Sequence, residues 1–227
     1  MSLPSGFQSY PDREMLWLKL ADMLAGEIGS FLRRQERVSL AVPGGTTPGP
    51  VFDVLSGVDL DWARVTVLPT DERWVDPDHP RSNARMIGER LLTGRAAAAR
   101  FVPLTSDEPT PEAALPGLVE TVAPHLPLTV CLLGMGADGH IASLFPGADQ
   151  LEAALSPKAP PVMALRAPRA PEPRVSLTAP VLTQALAVHL VVTGAEKRDV
   201  LEKVGGMSLT EAPVKLVLDD AVVHWAE

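Results

Sequence analysis

Five short apolar runs, rich in β-branched residues, recur along this chain: Val38-Ser-Leu-Ala-Val42, Val65-Thr-Val-Leu68, Val130-Cys-Leu-Leu133, Val188-His-Leu-Val-Val192 and Val214-Lys-Leu-Val-Leu218. Runs this short and this continuous read as strands buried on both faces. Between them lie helical stretches. Leu16, Leu20, Leu24, Ile28 and Phe31 recur at spacings of three and four, predicting an amphipathic helix over roughly residues 11 to 35 whose stripe is core packing. Asn83 to Leu92, Glu112 to Val122 and Glu196 to Val204 carry further helical patterns. Alternation of strand and helix predicts an α/β fold with an open, mostly parallel sheet flanked by helices on both faces. The segment Pro157 to Pro173 holds six prolines and no helical period. It reads as a loop-rich excursion, with Val162-Met-Ala-Leu165 a candidate strand, and not as a linker. A chain of 227 residues that is 46% apolar can bury one substantial core, so a single domain over residues 1–227 is expected.

Several function classes are disfavoured before any motif is considered. No apolar run approaches the roughly 18 residues that a membrane helix requires. Met1 to Gln8 lack a basic start followed by an apolar stretch, so the expectation is a cytoplasmic protein. A net charge of −8 argues against a nucleic-acid binder, which needs dense Lys/Arg patches. An anionic small molecule is still permitted, because salt screens charges over about 8 Å and a few local cations can dominate a pocket. Cys131, the single cysteine, sits inside an apolar run and reads as a buried hydrophobe, not a nucleophile.

Chemistry collects where the strands end, and in a parallel sheet those ends share one edge. The first junction, Pro43-Gly44-Gly45-Thr46-Thr47-Pro48, offers a close backbone approach and two hydroxyl donors. It lacks the Gly-Lys-Ser/Thr ending of a nucleotide-binding P-loop. The second, Leu68-Pro-Thr-Asp71-Glu72-Arg73-Trp74-Val75, combines carboxylate acceptors for hydroxyls with a fixed cation for an anion. The third, Gly134-Met-Gly136-Ala-Asp138-Gly139-His140-Ile-Ala-Ser143-Leu-Phe145-Pro146, begins as Gly-x-Gly-x-x-Gly. Pro146 truncates any following helix, and no acidic strand end arrives about 20 residues later, so a dinucleotide site is rejected. What the glycines frame is His140, a proton acceptor at neutral pH, beside the carboxylate of Asp138. The fourth is Thr193-Gly194-Ala195-Glu196-Lys197, where a cation in a first helical turn suits an anion in front of it. Arg174 is a further candidate cation. The histidines at 79, 125, 140, 189 and 224 show no metal-ligand spacing, and Asp76, Asp78 and His79 read as part of a loop over the pocket.

These segments, in this order, resemble the 6-phosphogluconolactonases, within the wider group that includes the glucosamine-6-phosphate deaminases. The resemblance runs from the first helix to the last strand. It rests on Asp71-Glu-Arg-Trp-Val75 followed by Ser82-Asn83, on the Gly134–Pro146 block and on the Gly194-x-x-Lys197 turn, with the Gly44-Gly-Thr-Thr-Pro48 turn a weaker element; Thr46 stands where serine is common and keeps the hydroxyl. It implies the Rossmann-like deaminase/lactonase fold and hydrolysis of 6-phospho-D-glucono-1,5-lactone to 6-phosphogluconate in the pentose phosphate pathway. The implied partner is a small sugar phosphate lactone; no cofactor and no metal are implied. It further implies His140 as the general base on water, Arg73 as a cation near the substrate, Arg174 and Lys197 as phosphate ligands, and Asp71 and Asp138 fixing hydroxyls or orienting the histidine. An activated ester needs only a positioned water, a base and stabilisation of one oxyanion, so no serine nucleophile is required. The rivals are an aminosugar-phosphate deaminase, disfavoured by Phe145 where deaminases place a glutamate, and a non-catalytic phosphosugar-binding module.

Overall fold

The computed structural model describes residues 3–227. In chain order the elements are β1 (Phe7–Ser9), α1 (Arg13–Leu32), β2 (Val38–Val42), α2 (Gly49–Leu55), β3 (Val65–Pro69), β4 (Asp71–Arg73), α3 (Asn83–Arg90), β5 (Arg100–Phe101), α4 (Pro111–Val122), β6 (Val130–Gly134), α5 (Leu151–Leu155), β7 (Val162–Leu165), β8 (Arg174–Leu177), α6 (Ala179–Thr183), β9 (Ala187–Thr193), α7 (Ala195–Lys203) and β10 (Val222–Ala226). Seven strands form one sheet in the order β1-β10-β9-β6-β2-β3-β5, every pair of it parallel. β2, β3 and β5 build outward in one direction, and β6, β9 and β10 in the other. The direction reverses between β2 and β6, and a crevice at the carboxyl ends of those strands is where such sheets bind ligands.

Strand composition explains the layering. Leu40, Val42, Val130 and Leu132 pack on the side of α1, whereas Ala41, Cys131 and Leu133 pack on the opposite side with α4 and the second sheet. Alternate side chains of apolar strands thus fill two cores, as burial on both faces requires. The stripe Leu16, Leu20, Leu24 and Ile28 is fully buried, and Asp12 caps the helix by accepting the Met15 amide at 2.7 Å. Cys131 lies in the core, and burial pushes its thiol up to about 12, leaving no thiolate at neutral pH.

The structure departs from the expectations in three places. Val214–Leu218 is not a strand: Pro213–Leu216 is a 3-10 turn, and the closing strand is Val222–Ala226. Pro213 begins that turn, and the Val214 amide donates to the Gly139 carbonyl at 2.9 Å, so the segment braces the Asp138–His140 loop instead of joining the sheet. The stretch after β3 does not simply leave the core; Asp71–Arg73 pairs with β8, and with β7 they form a separate three-stranded antiparallel sheet, β4-β8-β7. Within the excursion from Pro157 to Pro173, Val162–Leu165 is indeed a strand, but of this second sheet. The long first helix is trimmed to Arg13–Leu32.

Candidate active site

All four junctions converge on one cavity of roughly 350 Å³ at the carboxyl edge, across the β2/β6 reversal. Gly44, Gly45, Thr46, Thr47, Asp71, Arg73, His140, Arg174 and Lys197 line it. Of the residues expected at the site, Asp138 alone stands behind the lining.

Its position there has a clear chemical consequence. Asp138 Oδ1 lies 2.6 Å from His140 Nδ1 and also accepts the His140 amide at 3.3 Å. Burial pushes the Asp138 carboxyl up, but the hydrogen bond and charge of His140 outweigh it and hold the group below its ordinary value. With the imidazole proton on Nδ1 facing a carboxylate, the lone pair sits on Nε2, which makes no hydrogen bond to any described residue. The loop can hold this geometry only with glycine at 136, because a Cβ there would come within 2.2 Å of the His140 ring. Ala142 takes a left-handed conformation, φ 48°, just beyond the histidine.

Asp71 is engaged differently. It is 6% exposed; its Oδ2 accepts from Ser143 Oγ at 2.5 Å, its Oδ1 from Thr70 Oγ1 at 3.1 Å, and Arg174 Nη1 stands 4.0 Å away. It is thus the counter-ion of a cavity cation and is tied to the histidine loop through Ser143. The Ser143 amide also donates to Ser176 Oγ at 3.1 Å, so that loop is fastened to β8 as well as to β4.

The cations of the cavity are poorly paired. Arg174 is 5% exposed, its carboxylate partners Asp71 and Glu172 stand at 4.0 and 3.9 Å, and its Nε has no partner among the described residues. Burial is the main reason its pKa falls, opposed by Asp71. Lys197 is likewise lowered by burial, opposed by Glu196. Arg73 Nη1 donates to the Arg81 carbonyl at 2.5 Å, while its Nε is buried and unpartnered among the described residues. Half-desolvated guanidinium and ammonium groups without close carboxylates are best stabilised by a bound anion.

Three residues of the quoted motifs help to build the site without having been named among its candidate residues. Glu72, fully buried, accepts the amides of Arg73, Asn83 and Ala84 at 2.8, 2.7 and 2.6 Å and anchors the start of α3; burial raises its pKa despite these bonds. Asn83 donates to the Asp71 carbonyl at 2.7 Å and packs on Gly44 so closely that a Cβ at 44 would meet its Oδ1 at 1.8 Å. The spacing Glu72 to Ser82-Asn83 carried that signal. Phe145 packs its ring 4.0 Å from the His140 ring centroid and 5.5 Å from the Arg174 guanidinium carbon, bridging base and cation. The Gly134 segment is followed by turns and no helix, so it has no dinucleotide-binding geometry. Among the described residues no group of three or more His, Cys, Asp or Glu is placed to hold a metal ion, and no helix is long and apolar enough to cross a membrane.

Residues 11–225 match the family described as glucosamine-6-phosphate isomerases/6-phosphogluconolactonase. A 6-phosphogluconolactonase of Caulobacter vibrioides is 36% identical over 99% of this chain and 98% of its own length. One from Rhizobium meliloti is 40% identical over 91% and 92%. The crystal structure of a 6-phosphogluconolactonase from Shewanella baltica superposes with a TM-score of 0.93 at 31% identity, covering 97% of both chains. A monomeric glucosamine-6-phosphate deaminase shares the fold, with a TM-score of 0.80 at 16% identity. On this coverage and identity, the chain belongs to the glucosamine-6-phosphate isomerase/6-phosphogluconolactonase family.

Proposed function

We propose that this chain is the lactonase of its family, hydrolysing 6-phospho-D-glucono-1,5-lactone to 6-phosphogluconate in the pentose phosphate pathway. The observation that carries the mechanism is the His140 ring, held by Asp138 through Nδ1 and turned with a free Nε2 lone pair into a cavity that also presents Arg73, Arg174 and Lys197. Nε2 takes a proton from water as the oxygen attacks the lactone carbonyl. The imidazolium that forms is stabilised by Asp138, and it returns the proton to the ring oxygen when the tetrahedral intermediate collapses, leaving the open-chain acid. Arg174 and Lys197 hold the phosphate, and Arg73 is the cation nearest the developing oxyanion. Gly44, Gly45, Thr46 and Thr47 receive sugar or phosphate oxygens at the β2 end. A phosphorylated lactone does not cross membranes unaided, which favours the cytoplasm as the place of action.

Phe145 supports the choice against deamination. Ring opening of an aminosugar needs a second proton carrier beside the histidine, and a phenyl ring on that histidine carries none. The experiment pairs a coupled assay on fresh lactone, with spontaneous hydrolysis subtracted, with an ammonia assay on glucosamine 6-phosphate. Rapid lactone hydrolysis without ammonia above the blank is expected; ammonia with fructose 6-phosphate would overturn the function and leave the fold untouched. Neutralising Lys197 or Arg174 should raise the apparent KM for the phosphorylated lactone far more than for its unphosphorylated analogue, and equal effects on both would remove the phosphate role.

A further inference from the structure

The opposite edge of the sheet carries a feature that lactone hydrolysis does not use. β2 and β3 are apolar except at their second positions, Ser39 and Thr66, which are direct neighbours in register; Thr66 is in turn the register partner of Arg100 on β5. Residues side by side in a parallel sheet share a face, so Ser39, Thr66 and Arg100 form a polar row one residue in from the amino edge. Thr129, just ahead of β6, extends it: its amide donates to Ser39 Oγ at 3.0 Å, and the Ser39 amide donates to Thr129 Oγ1 at 3.1 Å. Those two hydroxyl groups thereby satisfy each other's backbones. Thr66 is 2% exposed, and its hydroxyl has no side-chain or backbone partner among the described residues.

That row floors a groove of about 420 Å³, bounded by Arg37, Arg100 and His125. No Asp or Glu lines it. Neither Arg37 nor Arg100 makes an ion pair or a side-chain hydrogen bond to the described residues, in contrast to nearby Arg64, which donates to the Leu32, Gln35 and Glu36 carbonyls and pairs with Asp61. Burial, and then the charges of Arg100 and Arg37, hold His125 below its ordinary pKa, so the two guanidinium groups are close enough for their repulsion to be felt at the imidazole. In a chain of net charge −8, a groove with two unpaired guanidinium groups and no acid is a local concentration of positive potential.

We infer that this groove is a second anion site, on the edge of the sheet opposite the catalytic cavity, which takes a small phosphate-bearing molecule through Arg37, Arg100, His125 and the Thr66 hydroxyl. A phosphate offers several oxygens in a tetrahedral array, which matches donors arriving from the groove walls and its floor. Guanidinium groups bind such oxygens in pairs, and the unpartnered hydroxyl supplies a neutral donor from below. An arriving anion cancels the repulsion between the arginines and stabilises the imidazolium of His125, so that binding is reported by that one side chain.

Imidazole NMR of the intact protein reads this directly. Inorganic phosphate is titrated against potassium chloride at matched ionic strength while the His125 resonances are followed. Phosphate should shift them saturably and raise the His125 pKa, and chloride should not. The Arg37→Ala and Arg100→Ala variants should each weaken the binding about tenfold, and Thr66→Val by several-fold, while lactone turnover stays at the parent rate. A response that never saturates, that chloride reproduces, or that survives in the Arg37→Ala/Arg100→Ala double variant would overturn the site. Because His125 lies at the amino edge, this outcome is independent of whether the catalytic assignment holds.

Discussion

Two histidine–carboxylate pairs stand among the described residues, and only one is built to move a proton. At the carboxyl edge, His140 Nδ1 meets Asp138 at 2.6 Å and its other nitrogen is left for the cavity. Between the sheet and α1, His189 Nε2 meets Glu27 at 2.8 Å, but its Nδ1 lies 3.0 Å from His224 Nε2, and His224 Nδ1 lies 2.8 Å from the Tyr10 hydroxyl. His189 donates from Nε2 to the Glu27 carboxylate and accepts at Nδ1 from His224 Nε2–H, and the Tyr10 hydroxyl has two acceptors for its one proton, His224 Nδ1 and Gln8 Oε1, each at 2.8 Å. Both ring nitrogens of His189 are then occupied. His189 and His224 are 1% and 0% exposed. A histidine beside a carboxylate is thus a base only where its second nitrogen is left unoccupied and substrate can reach it; otherwise the same pair is a buried polar tie between strands.

Removing His140 tests the difference most sharply. His140→Ala should lower turnover by about 100- to 10,000-fold, the usual span for general acid–base catalysis, with thermal stability near that of the parent. Near-normal turnover in a folded variant would dissolve the contrast. Asp138→Asn comes next. It removes the charge that fixes the proton on Nδ1, so turnover should drop by about 10- to 100-fold, with a shift of the acidic limb of the pH profile and little change in KM. Unchanged pH dependence would show that Asp138 does not set the state of the base.

The interior pair should respond in the opposite sense. His189→Ala leaves His224 Nε2–H and the Glu27 carboxylate without their partner and opens a cavity in the layer beneath α1, so unfolding free energy should fall by about 2 to 4 kcal/mol. Turnover per folded molecule should stay near the parent value. A selective loss of turnover with stability intact would mean that this pair also serves the reaction.

The contrast was half legible in the sequence. His140 could be found because glycines, a strand end and an acidic neighbour lie within a few residues of it, and local clustering is what a linear reading detects. The pairing of His189 with His224 depends on strand order: β10 lies against β9, and His224 sits two positions off the register partner of His189, on the same face. No periodicity announces that. The closing strand Val222-Val-His-Trp-Ala226 was not among the expected ones, while the apolar pattern at Val214–Leu218 turned out to be a brace for the catalytic loop. Asp71 shows the same limit. Its place at the cavity followed from the end of β3, but its bond to Ser143, 72 positions away, requires the second sheet to fold back over the edge.

The smallest effect concerns acid, and it would show that His224 is held neutral. Burial, reinforced by the charge that His189 can carry, lowers the His224 pKa to about 3, against an ordinary value of 6.5 in the unfolded chain. Between those values the unfolded state binds a proton that the folded state refuses, so stability must rise with pH across the interval. The contribution is therefore complete above about pH 6.5 and is lost progressively as pH falls toward 3, by at most ~1.4 kcal/mol per pH unit. Carboxylates titrate in the lower part of the same range, and the upper part, from pH 6.5 to 5.5, isolates the histidine. His224→Gln keeps polar groups in the layer but cannot take up the proton. Denaturant unfolding of parent and variant at both pH values should give a smaller stability difference at pH 5.5 than at 6.5. Equal differences at the two values would mean that His224 is free to protonate in the folded protein, and the division between an accessible base and a sealed tie would then fail at its interior member.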